Sequence, residues 1–249
     1  MTSNAATGGR REVPSAALRD LHLFGTPEGL DLEAVSDACD ALGVGRYLPG
    51  FHALWQGSPP IAGPIVTMEL VCVGFPTTSS HHLGVDAIAA ARPGDIIVID
   101  HRGRTDAAGW GGLLSQAAKR AGVSGVVIHG GARDVAEAGA VGLPLWGSAA
   151  VSRTARGRVV QRSVQRPIDF AGVAVQPGDV AFVAEGGVVL LPVDHLETVL
   201  SRANEIRERE ANLARMVTGG AELGAVMGSG YERMLVHVQS ESTSHSRAT

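Results

Sequence analysis

Four residues near the middle of the chain have the types and spacing needed to bind a small anion. Gly112 is followed after twenty residues by Arg133 and Asp134, and Glu137 comes after two more. A guanidinium presents a rigid fork of donors that fits a carboxylate, and an aspartate offers hard oxygen ligands to Mg²⁺ or Mn²⁺. The spacing therefore predicts a site that holds an anionic substrate beside a divalent metal.

The backbone at the start of a predicted helix over 112–121 adds donors to this site. Gly111 and Gly112 open that helix. The amides of Gly112, Leu113 and Leu114 are then first-turn donors without partners inside the helix. Such amides, aided by the helix dipole, suit the carboxylate of a 2-oxo acid. The same segment also fits a plain glycine turn and a capped helix with surface ion pairs, and the residues alone leave both interpretations open.

Several familiar chemistries lack the residues that they need. The chain contains one lysine, Lys119, which lies beside Arg120 on the polar side of the predicted helix. A Schiff-base amine needs a desolvated setting, so we expect Lys119 to be a solvated charge. The phosphate-loop, GxGxxG, HExxH and GxSxG patterns do not occur. These absences disfavour nucleotide binding, zinc peptidase chemistry and serine hydrolysis.

Composition and charge indicate a soluble cytoplasmic protein. The formal net charge is −4 and hydrophobic residues make up 45% of the 249 positions. This balance offers no basic surface for nucleic acid, and no run of 18 apolar residues predicts a membrane span. Cys39 and Cys72 have apolar neighbours and no CxxC spacing, so we expect two core residues in a reducing compartment.

Alternating helix and strand patterns predict one α/β domain with a mixed sheet. Leu32, Val35, Cys39 and Leu42 have helical spacing, with Asp31 as N-cap and Gly43 as the end. The apolar runs IVTMELVCV, IIVID and GVVIHG predict buried strands, and VAVQPGDVAFVAEGGVVLLP predicts a hairpin. The pattern thus favours helices packed against a mixed sheet.

The chain ends differ from this central pattern. Residues 1–15 are small and polar and predict a mobile N-terminus, and 16–217 form the predicted domain. That domain closes with a long charged helix that a capping box of Asp194 and Glu197 is expected to start. Residues 218–249 are expected to form a C-terminal extension that is partly disordered.

Taken together, these segments resemble the RraA-like family. The motif Gly112-x20-Arg133-Asp134-x2-Glu137 carries the resemblance, and it extends from about 32 to 209. VSDACDALG, IAGPIVTMEL, RPGDIIVID and VQPGDVAFVAEGGVVLLP match in the same order. The family includes metal-dependent aldolases acting on 4-hydroxy-4-methyl-2-oxoglutarate and 4-carboxy-4-hydroxy-2-oxoadipate.

The resemblance implies a fold, an assembly and a reaction. The fold would be a swivelling-type β/β/α sandwich, assembled as a homotrimer or homohexamer with sites between subunits. The backbone of 111–114 and Arg133 would bind a small 2-oxo acid, and Asp134 would hold Mg²⁺ or Mn²⁺. Glu137 would orient water or Arg133. A 4-hydroxy-2-oxo di- or tricarboxylic acid would be cleaved to pyruvate, with oxaloacetate decarboxylation as a side activity through the same enolate.

One position departs from the family pattern and leaves alternatives. His129 stands where the family most often has an aspartate, and we expect either a proton donor or ligand at the site or a hydrogen-bonded structural residue. His81 and His82 are adjacent and are expected to be surface or capping residues. Two other functions fit the chain: a binding regulator like the ribonuclease E inhibitors of this fold, or a lyase or decarboxylase for another 2-oxo acid.

Overall fold

The computed structural model of the protein describes residues 11–76 and 80–227. Its helices are α1 (Leu18–Leu23), α2 (Leu32–Leu42), α3 (Val85–Ala90), α4 (Gly112–Arg120), α5 (Val135–Ala140), α6 (Leu196–Thr218) and α7 (Leu223–Val226). Its strands are β1 (Arg46–Leu48), β2 (His52–Ala53), β3 (Ile61–Cys72), β4 (Ile96–Ala108), β5 (Gly125–Ala132), β6 (Leu145–Ala150), β7 (Val159–Val164), β8 (Ile168–Phe170), β9 (Val173–Val175), β10 (Val180–Ala184) and β11 (Gly187–Leu191).

A large mixed sheet forms the centre of the domain, as the sequence predicts. Its order is β1-β11-β10-β3-β4-β5-β6-β2, and β7 also pairs with β3. The four strands β3 to β6 are parallel, while β10 and β11 form the predicted antiparallel hairpin. Strand β3 joins the two parts because it pairs with β10 near its start and with β4 further along. The α/β fold with a mixed sheet is therefore confirmed.

Alternation along the parallel strands separates two faces of the sheet. Ile97 and Ile128 pack in a core cluster with residues of α3, α4 and α5. Their neighbours Val98 and Val127 point the other way, into a cluster with Phe170 of β8. Successive side chains of a strand lie on opposite faces, so the two clusters share strands without sharing side chains. Alternate positions along β5 therefore face opposite sides of the sheet.

Helix α2 forms where its sequence signals predict it. Asp31 Oδ1 accepts a hydrogen bond from the Ala34 amide at 2.8 Å, and Gly43 ends the helix with a φ of 65°. Glycine adopts this left-handed conformation without the steric cost that a β-carbon brings. The cap and the apolar spacing together fix both ends of α2.

The start predicted for the long helix α6 is wrong in its details. A 3-10 turn, Val193–His195, leads into the helix, so the N-cap position falls on His195. His195 has helical backbone angles and makes no side-chain cap. Asp194 instead pairs with Arg11. The expected capping box of Asp194 and Glu197 does not form, because the turn shifts the helix start past Asp194.

The predicted terminal segments fall mostly outside the described residues. Residues 1–10 and 228–249 are not described. Within the described part, Arg11 pairs with Asp179 at 3.3 Å, and Arg92 binds Glu12 at 2.8 Å. Helix α7 follows the end of α6. No helix among residues 11–76 and 80–227 has the length and apolar character needed to cross a membrane.

The two cysteines occupy different environments. Cys39, on helix α2, is 3% exposed and packs in a core cluster, as expected. Cys72 is exposed at the last position of β3, and Arg104 Nη1 lies 3.0 Å from its sulfur. The prediction that Cys72 fills the core is therefore wrong, because β3 leaves the core before that residue.

Candidate active site

The motif residues meet at one cleft on the helix-covered face of the sheet. The cleft has a volume of about 570 Å³ with its open mouth included. Part of its lining comes from the start of α4 and the residues after β5, namely Gly111, Gly112, Leu113, Leu114, Arg133 and Asp134. Residues separated by twenty positions in sequence thus form one surface.

The end of β5 sets the positions of Arg133 and Asp134. The Arg133 amide donates to the Trp110 carbonyl oxygen at 3.0 Å, which ties this segment to the residue before Gly111. Asp134 then has φ 56° and ψ 37°, and it is the N-cap residue of α5. This left-handed conformation is costly for most side chains, but aspartate and asparagine adopt it more readily than other residues. The left-handed conformation of Asp134 lets the chain turn from the end of β5 into the start of α5.

Asp134 contacts both other parts of the motif. Its Oδ2 accepts a hydrogen bond from the Gly112 amide at 3.2 Å and lies 3.1 Å from Arg133 Nε. The Arg133 and Asp134 side chains are 38% and 35% exposed, so a ligand can reach both. In the described part of the chain, no hydrogen bond engages Asp134 Oδ1. One carboxylate oxygen is therefore available to a ligand or an ion.

The first turn of α4 offers two donors rather than the three expected. The helix has Gly111 as N-cap and no side-chain cap. The Gly112 amide is already bound to Asp134, which leaves the amides of Leu113 and Leu114. Unpaired amides at a helix N-terminus attract carboxylates. Leu113 also presents an apolar side chain that is 79% exposed at this edge.

The Glu137 carboxylate packs directly against Gly112. A β-carbon on Gly112 would overlap the Glu137 carboxylate, whose Cδ atom lies 2.6 Å from the β-carbon position. Gly112 is the first residue of α4 and has helical backbone angles, so the constraint at this position is the close contact with Glu137 and not an unusual backbone conformation. The carboxylate of Glu137 thus lies directly beside the first residue of α4.

Trp110, which was not among the predicted site residues, packs beneath this surface. Its side chain is 2% exposed, and its Nε1 donates to Ser115 Oγ at 3.0 Å. Ser115 Oγ in turn donates to the Gly111 carbonyl oxygen at 3.1 Å. These two hydrogen bonds fix the backbone at the N-terminus of α4. A tryptophan directly before two glycines was the sequence signal that could have identified it.

His129 does not lie with the other predicted site residues. Its neighbour Ile128 packs on the face that carries α4 and α5, so His129 points to the opposite face. There its Nδ1 lies 3.4 Å from Asp100 Oδ1, and its ring packs near Phe51 and Phe170. It is not among the residues that line the cleft. Its environment matches the structural alternative, an imidazole hydrogen-bonded to a carboxylate.

Of the lysine and the two adjacent histidines considered in the sequence, one histidine lines the cleft and the other two residues do not. Lys119 Nζ donates to the Gly142 carbonyl oxygen at 2.8 Å and does not line the cleft. His81 Nδ1 pairs with Asp86 at 2.7 Å on the surface. His82 is exposed, as predicted, but it lines the cleft. No three His, Cys, Asp or Glu side chains converge on a common point among the described residues.

The family resemblance is confirmed by comparison with known proteins. The RraA-like family model, described as Aldolase/RraA, matches residues 34–190. This span covers more than half of the chain and includes every motif residue. The protein belongs to the RraA-like family.

Two curated relatives show how the similarity is distributed. A protein of Albidiferax ferrireducens, named as a candidate 4-hydroxy-4-methyl-2-oxoglutarate aldolase, is 35% identical over 63% of this chain and 94% of its own length. Protein DlpA of Legionella pneumophila is 31% identical over 76% of this chain. That alignment covers only 30% of DlpA, so the chain corresponds to about a third of that relative.

Solved structures match the fold. The crystal structure of an uncharacterized protein from Pseudomonas syringae superposes with a TM-score of 0.75 at 26% identity, covering 88% of this chain and 100% of that one. The RNA-processing inhibitor RraA from Thermus thermophilus gives a TM-score of 0.52 at 27% identity, covering 64% and 92%. The fold is thus shared with an uncharacterized protein and with a protein named as an RNA-processing inhibitor.

Proposed function

We propose that the protein is a divalent-metal-dependent carbon–carbon lyase that cleaves a 4-hydroxy-2-oxo di- or tricarboxylic acid and releases pyruvate. One observation carries the proposal: Asp134 Oδ2 contacts both the Gly112 amide and Arg133 Nε at the edge of an open cleft. Membership of the family and the aldolase names of relatives support it.

The donor set at the cleft fits a magnesium-type ion. Mg²⁺ is commonly held through one or two carboxylates, with waters and substrate oxygens completing its shell. Asp134 provides one exposed carboxylate with a free oxygen, which meets that minimum. A divalent ion bound there would supply Lewis-acid polarisation of the substrate's 2-oxo group. We place the expected Mg²⁺ or Mn²⁺ at Asp134 on this ground.

The remaining residues divide the work of binding and charge stabilisation. The amides of Leu113 and Leu114 bind the C1 carboxylate of the substrate at the start of α4. Arg133 has its Nε engaged by Asp134, so its terminal nitrogens are the donors for the negative charge that develops on the 2-oxo oxygen as C3–C4 breaks. Glu137, beside Gly112, orients Arg133 or a water, and a water is the proposed acceptor of the C4 hydroxyl proton as C4 becomes the carbonyl carbon of the second product. Oxaloacetate decarboxylation develops the same enolate charge and is expected as a side activity.

Pyruvate release tests the proposal directly. The assay uses 4-hydroxy-4-methyl-2-oxoglutarate, 4-carboxy-4-hydroxy-2-oxoadipate and oxaloacetate, with Mg²⁺ or Mn²⁺ and again with EDTA. We expect metal-dependent release that falls at least a hundredfold in Arg133→Ala and in Asp134→Ala. Lys119→Ala is the matched control, because Lys119 binds the Gly142 carbonyl oxygen and does not line the cleft. Wild-type rates in both site variants, or a borohydride-trapped adduct at Lys119, would refute the assignment.

A binding regulator is the second candidate, favoured by the likeness to the Thermus RNA-processing inhibitor. This function predicts binding to a ribonuclease and inhibition of RNA cleavage, both unaffected by EDTA. The lyase proposal predicts neither. Arg133→Ala separates the two, because a regulator that uses another surface retains its inhibition when the cleft is altered.

A further inference from the structure

Two loops complete the cleft with polar groups that the proposed reaction does not use. His82 comes from the segment before α3, while Thr154 and Arg156 come from the segment between β6 and β7. They line the same cleft as Arg133 and Asp134. The lining of the cleft thus includes polar groups beyond those proposed to bind the pyruvate half of a substrate.

The balance of charge in the cleft points to a second anionic group. Asp134 is the one carboxylate among the described residues that line it, and that carboxylate is paired with Arg133. Arg156 is exposed, and its guanidinium forms no ion pair within the described part of the chain. An unpaired guanidinium attracts a planar carboxylate and binds it through paired hydrogen bonds. The cleft therefore carries one positive charge that its own residues leave uncompensated.

The backbone below Arg156 is held in place. Ala155 is 8% exposed and packs in the core cluster under α3, α4 and α5. The Arg156 amide donates to Thr154 Oγ1 at 3.2 Å, and the Arg158 amide donates to the Ala155 carbonyl oxygen at 2.8 Å. The backbone that carries the guanidinium is thus restrained, which lowers the backbone entropy lost when Arg156 binds a ligand.

The segment that carries His82 is fixed as well. The side chain of Gln161, 3% exposed, accepts a hydrogen bond from the Gly84 amide at 2.9 Å. Its Nε2 donates to Asp86 Oδ2 at 2.8 Å. This buried amide joins the strand β7 to the first turn of α3. His82 therefore stands at a defined place on the rim of the cleft.

We propose that Arg156, assisted by His82, binds the distal carboxylate of the substrate and makes the site selective for 2-oxo dicarboxylates over 2-oxo monocarboxylates. The inference rests on the proposed function, which places the 2-oxo acid half at Leu113, Leu114 and Arg133. Arg156 is then a specificity-determining residue at the other end of the same ligand.

A matched pair of inert ligands tests the inference. 2-Oxoglutarate and 2-oxopentanoate have five carbons each and differ in the distal carboxylate, and neither carries the 4-hydroxyl group that cleavage needs. Titration calorimetry with Mg²⁺ is expected to show that the wild-type protein binds 2-oxoglutarate at least tenfold more tightly. Arg156→Gln should lose that preference while its affinity for 2-oxopentanoate stays within twofold. Arg156→Lys should keep part of the preference, because it retains the charge without the fork.

Arg153→Gln is the control, since Arg153 is exposed on the same loop and does not line the cleft. Equal wild-type affinities for the two ligands, or an unchanged preference in Arg156→Gln, would overturn the inference while pyruvate release in the lyase assay keeps the proposed function intact. Binding of neither ligand by the wild-type protein would overturn the inference, and the absence of pyruvate release in the lyase assay would overturn the proposed function as well.

Discussion

The carboxylate of Glu137 fills the space where any larger residue at position 112 would place its β-carbon. This contact joins the first turn of α5 to the first residue of α4, and Asp134 reinforces the junction through its bond to the Gly112 amide. The two short helices therefore present their N-terminal ends to the cleft as one unit. The x20 spacing of the motif is the length of chain needed to complete α4 and β5 and return to this junction.

Gly112→Ala should impair activity more than stability. The added β-carbon displaces the exposed Glu137 side chain, which can swing into solvent, so the free energy of unfolding should change by less than about 1 kcal/mol. Pyruvate release should fall at least tenfold, because the displaced carboxylate no longer lies beside the first turn of α4, where the substrate is proposed to bind. Gly224→Ala is the control, since nothing lies within 4 Å of its β-carbon position. Full activity in Gly112→Ala would show that the position of Glu137 has no part in turnover.

Two replacements of Asp134 should separate its backbone role from its charge. Asp134→Asn keeps a side chain that tolerates φ 56°, whereas Asp134→Ala should cost about 1–2 kcal/mol of unfolding free energy because alanine is strained there. Both should abolish metal-dependent pyruvate release. Urea denaturation measures the difference between them, and equal stabilities would mean that the left-handed turn is not a constraint on this residue.

Replacing His129 should leave turnover almost unchanged. The ring lies on the face of the sheet opposite to α4 and α5, so kcat/KM of His129→Gln should stay within about threefold of wild type. His129→Asp should lower stability, because it places a second carboxylate beside the buried Asp100. A tenfold fall in kcat for a folded His129→Gln would instead support the alternative that this residue is a proton donor or ligand at the site.

The buried thiol of Cys39 should make the protein less stable at alkaline pH. Burial, and to a smaller extent Asp40, raises the pKa of Cys39 from 9.0 to about 12. The folded thiol keeps its proton while the unfolded one loses it, so this contribution is complete below pH 9 and is lost as pH rises toward 12. Urea unfolding at pH 8, 9.5 and 10.5 should show a steeper loss for wild type than for Cys39→Ala. Cys72→Ala should retain the wild-type slope, because Cys72 is exposed.

Local signals account for the elements that the sequence predicted correctly. Spacing and an aspartate cap define α2, and β-branched runs define β3, β4 and β5. The short strands β1 and β2 have no such run, and their pairing depends on partners, β11 and β6, that are distant in sequence. The start of α6 depends on a 3-10 turn that competes with the capping box.

Only part of the candidate site could be predicted, because some of its residues are brought together by contacts between segments distant in sequence. Gly112, Arg133 and Asp134 come from one segment, so their spacing already indicates that they meet. His129 is four residues from Arg133, but strand alternation directs it to the other face, and the sequence does not say which face carries the cleft. Arg156 and His82 reach the cleft from two loops that are separate in sequence, and the contacts of Gln161 that join β7 to the start of α3 have no local signature.

Strand β3 has a consequence for how the chain reaches this structure. Its early residues pair with β10, where Ile61 meets Val183, its middle pairs with β4, and its end pairs with β7. A strand that needs three partners from across the chain gains little until most of the polypeptide has collapsed, because loop closure must precede the contacts. Folding should therefore be slow for a domain of this size. A truncation that removes β10 and β11 should leave β3 with an unpaired edge, open to association with other chains.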